Sequence, residues 1–398
     1  MVIDIQKESE GILSDFQEYF SEYKRSMIGK DDCIFLVNDA SNEIRQHYDV
    51  HYDGITFDDV LFKKMISSKR RYLKNKSINY EFFVIPDKSL VLRELLPFAT
   101  TSPFRCVDKI SHYVVDLVDI MNAGDYQYDD THIMEESAVK IVSYILNNLH
   151  PELSVDEYKN MLKDKLTVEE YESFGDLLFP VNWTWDRQHP IFKKYYASVK
   201  KRYKIKDSDN LIEKEVPPEF DKMGSRKTLY YTNDNSITNK KAIILRDSTT
   251  DKLIDVLSAY YGEIIFYWDH YYFDKDLVEF FNPDDIIEIR TERFIANPIN
   301  GIVKADGTFE LLQKSVKIKK LEFIKPYTLH LWVDIPVLRI MPLDAQCDIM
   351  LNGNLLSNEV ITGSSQTHLH YFLNNYPMEY RSNELKLAVR IKKLIKRD

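Results

Sequence analysis

The chain is poor in glycine, with 11 in 398 residues, so only a few turns can use left-handed backbone without strain. Its three cysteines, Cys33, Cys106 and Cys347, are far apart and odd in number. That excludes a disulfide framework and the paired spacing of a zinc site, and it fits buried thiols in a reducing compartment. No apolar run reaches membrane-spanning length, and the N-terminus lacks a continuous apolar core of the signal-peptide kind. The expectation is a cytoplasmic protein with no membrane span. An excess of positive charge is also missing: the net charge is −10. This argues against nucleic acid as a partner of the whole chain, because no dominant basic surface is available to release counterions. Neither a Walker A loop, a dinucleotide-binding glycine pattern nor an EF-hand loop occurs.

Alternating apolar strands and amphipathic helices fill much of what remains. Periodicity predicts a helix over about 9–29, a short buried strand at Cys33–Val37, a helix over about 58–74 and a core strand at Tyr80–Ile85 stopped by Pro86. Ala138, Ile141, Val142, Ile145 and Leu149 mark a further helix. Between 241 and 289 the order is strand, helix, strand, helix, strand, which indicates βαβ units around a mostly parallel sheet. One helix there is expected to carry Leu253, Ile254, Leu257, Tyr260 and Tyr261 on a single face. Residues 151–240 are less regular and are expected to be an insertion or lid region. After about residue 302 the pattern becomes period-two, with a turn at Asn352-Gly353-Asn354. The expected class is α/β, with a parallel-sheet domain over 1–301 and a C-terminal β-sandwich over 302–398.

Two stretches carry chemistry. Asp130-Thr131-His132 places a carboxylate and an imidazole two residues apart, just before a helix. Ile243-Ile244-Leu245-Arg246-Asp247-Ser248 ends an apolar strand on a serine, where following backbone amides can face an oxyanion. Serine needs a base to become nucleophilic, and the base needs its other nitrogen fixed. Asp130 can orient His132 while His132 serves Ser248. Equally ordinary roles exist for each: Asp130 as a cap, His132 as a packed residue, Ser248 as an N-cap.

Six short motifs occur in an order that resembles the alginate O-acetyltransferase branch of the SGNH-hydrolase-like proteins. They are Phe35-Leu36 with Asn38-Asp39, Val84-Ile85-Pro86-Asp87-Lys88, Asp130-Thr131-His132, Gly175-Asp176-Leu177, Asp247-Ser248 and Glu292-Arg293-Phe294, spanning roughly 30–297. The resemblance implies an SGNH-like fold and a catalytic triad of Asp130, His132 and Ser248. It also implies serine-dependent O-acetylation of a polysaccharide or glycan precursor. Departures are Arg246 in place of a small residue before the nucleophile turn, Ile133 for a tryptophan, and Ser137 for a glycine. The family is usually exported, whereas no leader is visible here.

The alternatives are a carbohydrate esterase of the same fold and a non-catalytic glycan-binding or scaffold protein in capsule assembly. His270 and Tyr271, at the end of the next strand, and Trp185 are candidate sugar or donor contacts, aromatic packing being the competing role. His368 and His370 share one strand face but lack a carboxylate or thiol nearby in sequence, so no metal is expected. No bound cofactor is expected, and acetyl-CoA is a candidate acyl donor, although no motif for it is visible. Alternating strands and aromatics such as Trp332 and Tyr371 suit the C-terminal module to carbohydrate binding or docking, covering an exposed sheet edge being the competing role.

Overall fold

The computed structural model describes residues 16–23, 25–39, 41–49, 57, 59–98, 100, 102–178, 189–196, 198–218, 220–221, 227–268, 273–295, 302–303, 309–310, 317–324, 328–335, 343–362, 366–372 and 387–396. The chain divides into two compact units: residues 1–270 with 274–298, and residues 299–398 with 271–273. The first is mixed α/β with a central, mostly parallel sheet, and the second is built from antiparallel sheets. No helix among the described residues is long and apolar enough to cross a membrane.

The central sheet has seven strands, in the order Val115–Asp116, Asn79–Ile85, Asp285–Thr291, Thr238–Arg246, Tyr261–Trp268, Leu229–Asn233 and Leu211–Lys214. The first five are parallel, and the last two turn antiparallel at the edge. Runs such as Ala242-Ile243-Ile244-Leu245 are buried on both faces, as parallel strands covered by helices must be. The helices Asp59–Asn75 and Ala138–Leu149 pack beside this sheet. Parallel pairing brings the ends of three central strands, at Ile85, Arg246 and Thr291, to one edge. The motifs Asp87-Lys88, Asp247-Ser248 and Glu292-Arg293 follow these three ends.

Several sequence expectations shift. Among the described residues the first helix is Phe16–Phe20, and Ser26–Ile28 is a strand paired with Ile34–Leu36. The helix expected through Tyr261 is a 3-10 stretch, Ser248–Leu253, followed by an α-helix only over Ile254–Tyr260. Tyr261 instead starts the next strand, where its hydroxyl donates to Asp285 at 2.9 Å. The 151–240 region is not simply an addition, since two of its strands extend the central sheet. One is mostly exposed and the other half-buried, so neither forms a continuous apolar run.

In the second unit, strands Lys317–Ile324, Thr328–Asp334 and Thr367–Phe372 form one sheet, and Asn354–Ile361, Leu343–Leu351 and Leu387–Lys396 form another. Leu331 and Val333 of the first sheet share a core with Cys347, Ile349 and Ile391 of the second. Asn352 and Gly353 both have positive φ, 51° and 82°, as a two-residue hairpin turn requires.

Buried charges lie inside the central sheet, Glu288 among them. Glu288 is fully buried on the Asp285–Thr291 strand and accepts from Lys69 Nζ at 2.7 Å, from Tyr80 OH at 2.7 Å and from Arg290. Burial pushes its carboxyl up, but the Arg290 and Lys69 charges outweigh this and hold it down at about 2. Its contribution to stability is therefore complete above the unfolded value of about 4.3 and is lost as pH falls towards 2. Lys69→Met leaves part of this carboxylate charge uncompensated and is expected to cost about 3 kcal/mol in urea unfolding at pH 7. A variant as stable as wild type would show that the buried pair contributes nothing.

Candidate active site

The Asp-Thr-His loop is shaped by three anchors. Tyr126 and Ile133 form an isolated antiparallel bridge, and Met134 N donates to Asp125 O at 2.7 Å, which closes the loop at its base. Lys88, buried just past the Asn79–Ile85 strand, supplies the second anchor. Its ammonium donates to the carbonyls of Gln127 (3.2 Å), Tyr128 (3.5 Å) and Asp130 (2.7 Å), and also to that of Ile34. The third is the Gly175-Asp176 turn. Gly175 N donates to Asp129 Oδ2 at 2.6 Å, and a Cβ on Gly175 would stand 1.9 Å from Asp129 O, so only glycine fits. Asp176 accepts from Thr131 N and Thr131 Oγ1, both at 2.8 Å.

On this loop Asp130 Oδ1 meets His132 Nδ1 at 2.5 Å and also accepts from His132 N at 2.9 Å. The other ring nitrogen, Nε2, lies 2.9 Å from Ser248 Oγ. Residues 116 positions apart in sequence are thus joined as carboxylate, imidazole and hydroxyl. Both Nδ1–H···carboxylate and Oγ–H···Nε2 are satisfied by one tautomer of His132. His132 and Ser248 keep partial solvent exposure, so a substrate can reach them.

Ser248 is set by its neighbour. Asp247, wholly buried, accepts from Thr249 N at 2.9 Å through one oxygen and from Thr291 N at 2.7 Å through the other. It therefore fixes the turn after one strand to the end of the adjacent one. It also occupies the Thr249 amide, which removes that group from the oxyanion donors expected of the turn. Arg246, which stands where the resemblance has a small residue, is buried with its guanidinium over the Trp268 ring and paired with Asp251.

Behind the triad a charged cluster ties the same sheet edge together. Asp87 accepts from Arg293 Nη1 at 2.6 Å and faces His47 Nε2 at 3.0 Å, with all three side chains buried. Burial alone would lower the His47 pKa, but the hydrogen bond and charge of Asp87 raise it to about 9, so it is an imidazolium at neutral pH. Arg293 is thus an ion-pair partner at the sheet edge, and Arg105 plays the same part for Glu292. His270, Tyr271 and Trp185 lie outside the described residues.

No protein-family model and no curated protein sequence matches the chain. Solved structures similar to it include PatB1 of Bacillus cereus, at 12% identity and a TM-score of 0.45 over 62% of this chain and 94% of that one. The O-acetyltransferase domain of Pseudomonas putida AlgJ is similar at 11% identity and a TM-score of 0.39, over 69% and 94% of the two chains. AlgX of Pseudomonas aeruginosa is similar at 11% identity and a TM-score of 0.36, over 94% and 92%. These values are too low to transfer the role of any residue.

The electrostatics of the loop follow from its three charged neighbours. Burial raises the Asp130 carboxyl, but the hydrogen bond and charge of His132, with Lys252, hold it far below the usual carboxylate range. Burial lowers the His132 pKa, yet the Asp130 hydrogen bond and charge, helped by Asp176 and opposed by Arg293, leave it raised. Burial and the Asp130 charge push Asp176 upward. An NMR titration of the His132 ring tests this balance. Asp176→Asn is expected to lower the His132 pKa, and Asp130→Asn to lower it further. An unchanged value in Asp176→Asn would show that this carboxylate serves the Thr131 loop alone.

Proposed function

We propose that the chain is a serine-dependent O-acyltransferase that acetylates a polysaccharide or glycan precursor. The observation that carries this reading is the continuous Asp130–His132–Ser248 relay, at 2.5 and 2.9 Å, at the edge of a mostly parallel sheet. These three groups in this order are a recurring arrangement for acyl transfer through a serine ester. The acetyl group and the sugar acceptor rest on the six sequence motifs, of which two form the relay and three, at Asp87-Lys88, Gly175-Asp176 and Glu292-Arg293, tie its loop to the sheet.

In the first half-reaction Ser248 Oγ attacks the donor carbonyl while His132 Nε2 takes its proton. The imidazolium is stabilised by Asp130. It returns the proton to the leaving oxygen or sulfur as the C–O or C–S bond breaks, leaving an acetyl ester on Ser248. In the second half-reaction His132 takes a proton from the acceptor sugar hydroxyl, whose oxygen attacks the ester. Collapse of that tetrahedral species passes the acetyl group to the sugar, and His132 gives the proton back to Ser248. Water in place of the sugar makes the same site an esterase. The partial exposure of His132 and Ser248 admits either acceptor.

Purified protein incubated with p-nitrophenyl acetate or acetyl-CoA and a panel of oligosaccharides distinguishes these outcomes by mass spectrometry. Ester on the sugar is expected, with the rate falling roughly 10⁴-fold or more in Ser248→Ala and in His132→Ala. Release of acetate with no sugar ester would make the protein an esterase. Glycan binding without turnover in wild type would leave only the scaffold reading.

A further inference from the structure

The strand Thr328–Asp334 turns Leu329, Leu331 and Val333 into the core of the C-terminal unit and His330 and Trp332 outward. On the next strand His368 and His370 are exposed, while Tyr371 is buried and Leu369 packs on the core. Register places His330 directly opposite His370 on one side and opposite Glu322 on the other. Residues directly opposite in a sheet share a face, so Glu322, His330 and His370 form one row across three strands. Trp332 lies opposite His368 in the next row. The carboxylate missing from the local sequence around His368-Leu369-His370 is therefore supplied by a strand some 46 residues away, a separation that sequence spacing could not reveal.

The imidazoles are close. His330 Nδ1 and His368 Nε2 are 3.1 Å apart, and the centroid of the His370 ring is 6.1 Å from that of His330 and 6.2 Å from that of His368. Two nitrogens bound at about 2.0–2.1 Å to one tetrahedral ion sit roughly 3.3 Å apart, so the first pair already has chelating separation. The His368 ring is stacked on Trp332, with centroids 4.3 Å apart and 8° between planes, which limits its freedom before any ligand arrives. His370 is exposed on the same face. Imidazole nitrogens with a carboxylate oxygen are the donor set of zinc and copper rather than of magnesium or calcium.

We propose that His330 and His368, joined by His370 and Glu322, bind a divalent ion of the zinc–copper class on the outer face of this sheet. These residues belong to the second unit, and the proposal does not depend on the acyltransferase reading. Such an ion would link three strands of one sheet and stabilise the unit by mass action.

Calorimetric titration of the full chain with Zn²⁺ tests this. Among the described residues, the group of three such donors already within 4.8 Å of one another is Asp130, His132 and Asp176, so binding there must be told apart. Wild type is expected to bind one more equivalent than the His330→Ala/His368→Ala double variant. His132→Ala and the exposed control His112→Ala are expected to keep that equivalent. Because the replaced rings are on the surface, the double variant is expected to unfold at the wild-type temperature without metal. As a second measurement on unaltered ligands, Cu²⁺ is expected to quench wild-type fluorescence more than that of Trp332→Phe, reversibly with chelator. No zinc binding by wild type, equal stoichiometry in wild type and double variant, or loss of the equivalent in His132→Ala would each overturn the site.

Discussion

The ammonium of Lys88 sits where three stretches of chain meet, and it holds them by donating to the carbonyls of Ile34, Gln127, Tyr128 and Asp130. A buried cation is costly unless its donors are satisfied, and hydrogen bonds to a charged group contribute about 1.5–3 kcal/mol each. Backbone carbonyls satisfy Lys88 without a carboxylate, so the loop it grips cannot move away without stranding the charge. That loop carries Asp130 and His132. The position of Lys88 is set in turn by Asp87, which Arg293 and His47 clamp at the ends of two neighbouring strands. The parallel sheet therefore passes its geometry to the Asp-Thr-His loop through one carboxylate and one ammonium.

On the opposite side of the relay the same device recurs with a different residue. Asp247 spends one oxygen on the turn that follows it and the other on the end of the adjacent strand. Ser248 is thereby referenced to the sheet, as Lys88 is, and the two halves of the relay share one rigid frame. Asp176 and Gly175 add a third tie, from a segment more than 40 residues beyond Asp130. All three ties bear on the His132–Ser248 contact, and under the proposed acyl transfer a misplacement there of about 1 Å costs on the order of 100-fold in rate.

Much of this was legible in the chain itself. The helix at Ala138–Leu149 follows from its 3.6-residue stripe, and the buried strands from β-branched runs ended by Pro86 or Asp247. The hairpin at Asn352-Gly353 follows from turn chemistry, and the relay from residue types and order. What was not legible depends on long-range contact. Nothing local distinguishes Lys88 from a solvated lysine, or Glu288 from the outward residue of a half-exposed strand. The strands Leu211–Lys214, at the edge, and Leu229–Asn233, next to it, carry polar residues because they are only partly covered, so they read as loop. Glu322 and His330 meet through strand pairing alone, which spacing between them does not encode.

The central claim is that this frame activates one hydroxyl. The most direct measurement is peptide mapping by mass spectrometry after treatment of the folded protein with a small sulfonyl fluoride, which reports a nucleophile without needing the natural donor or acceptor. The account predicts a single adduct on the peptide containing Ser248, absent when His132 is replaced by alanine and present when the distant exposed His112 is replaced. Folded protein that gives no adduct, an adduct on another serine, or one on Ser248 that persists without His132 would contradict it.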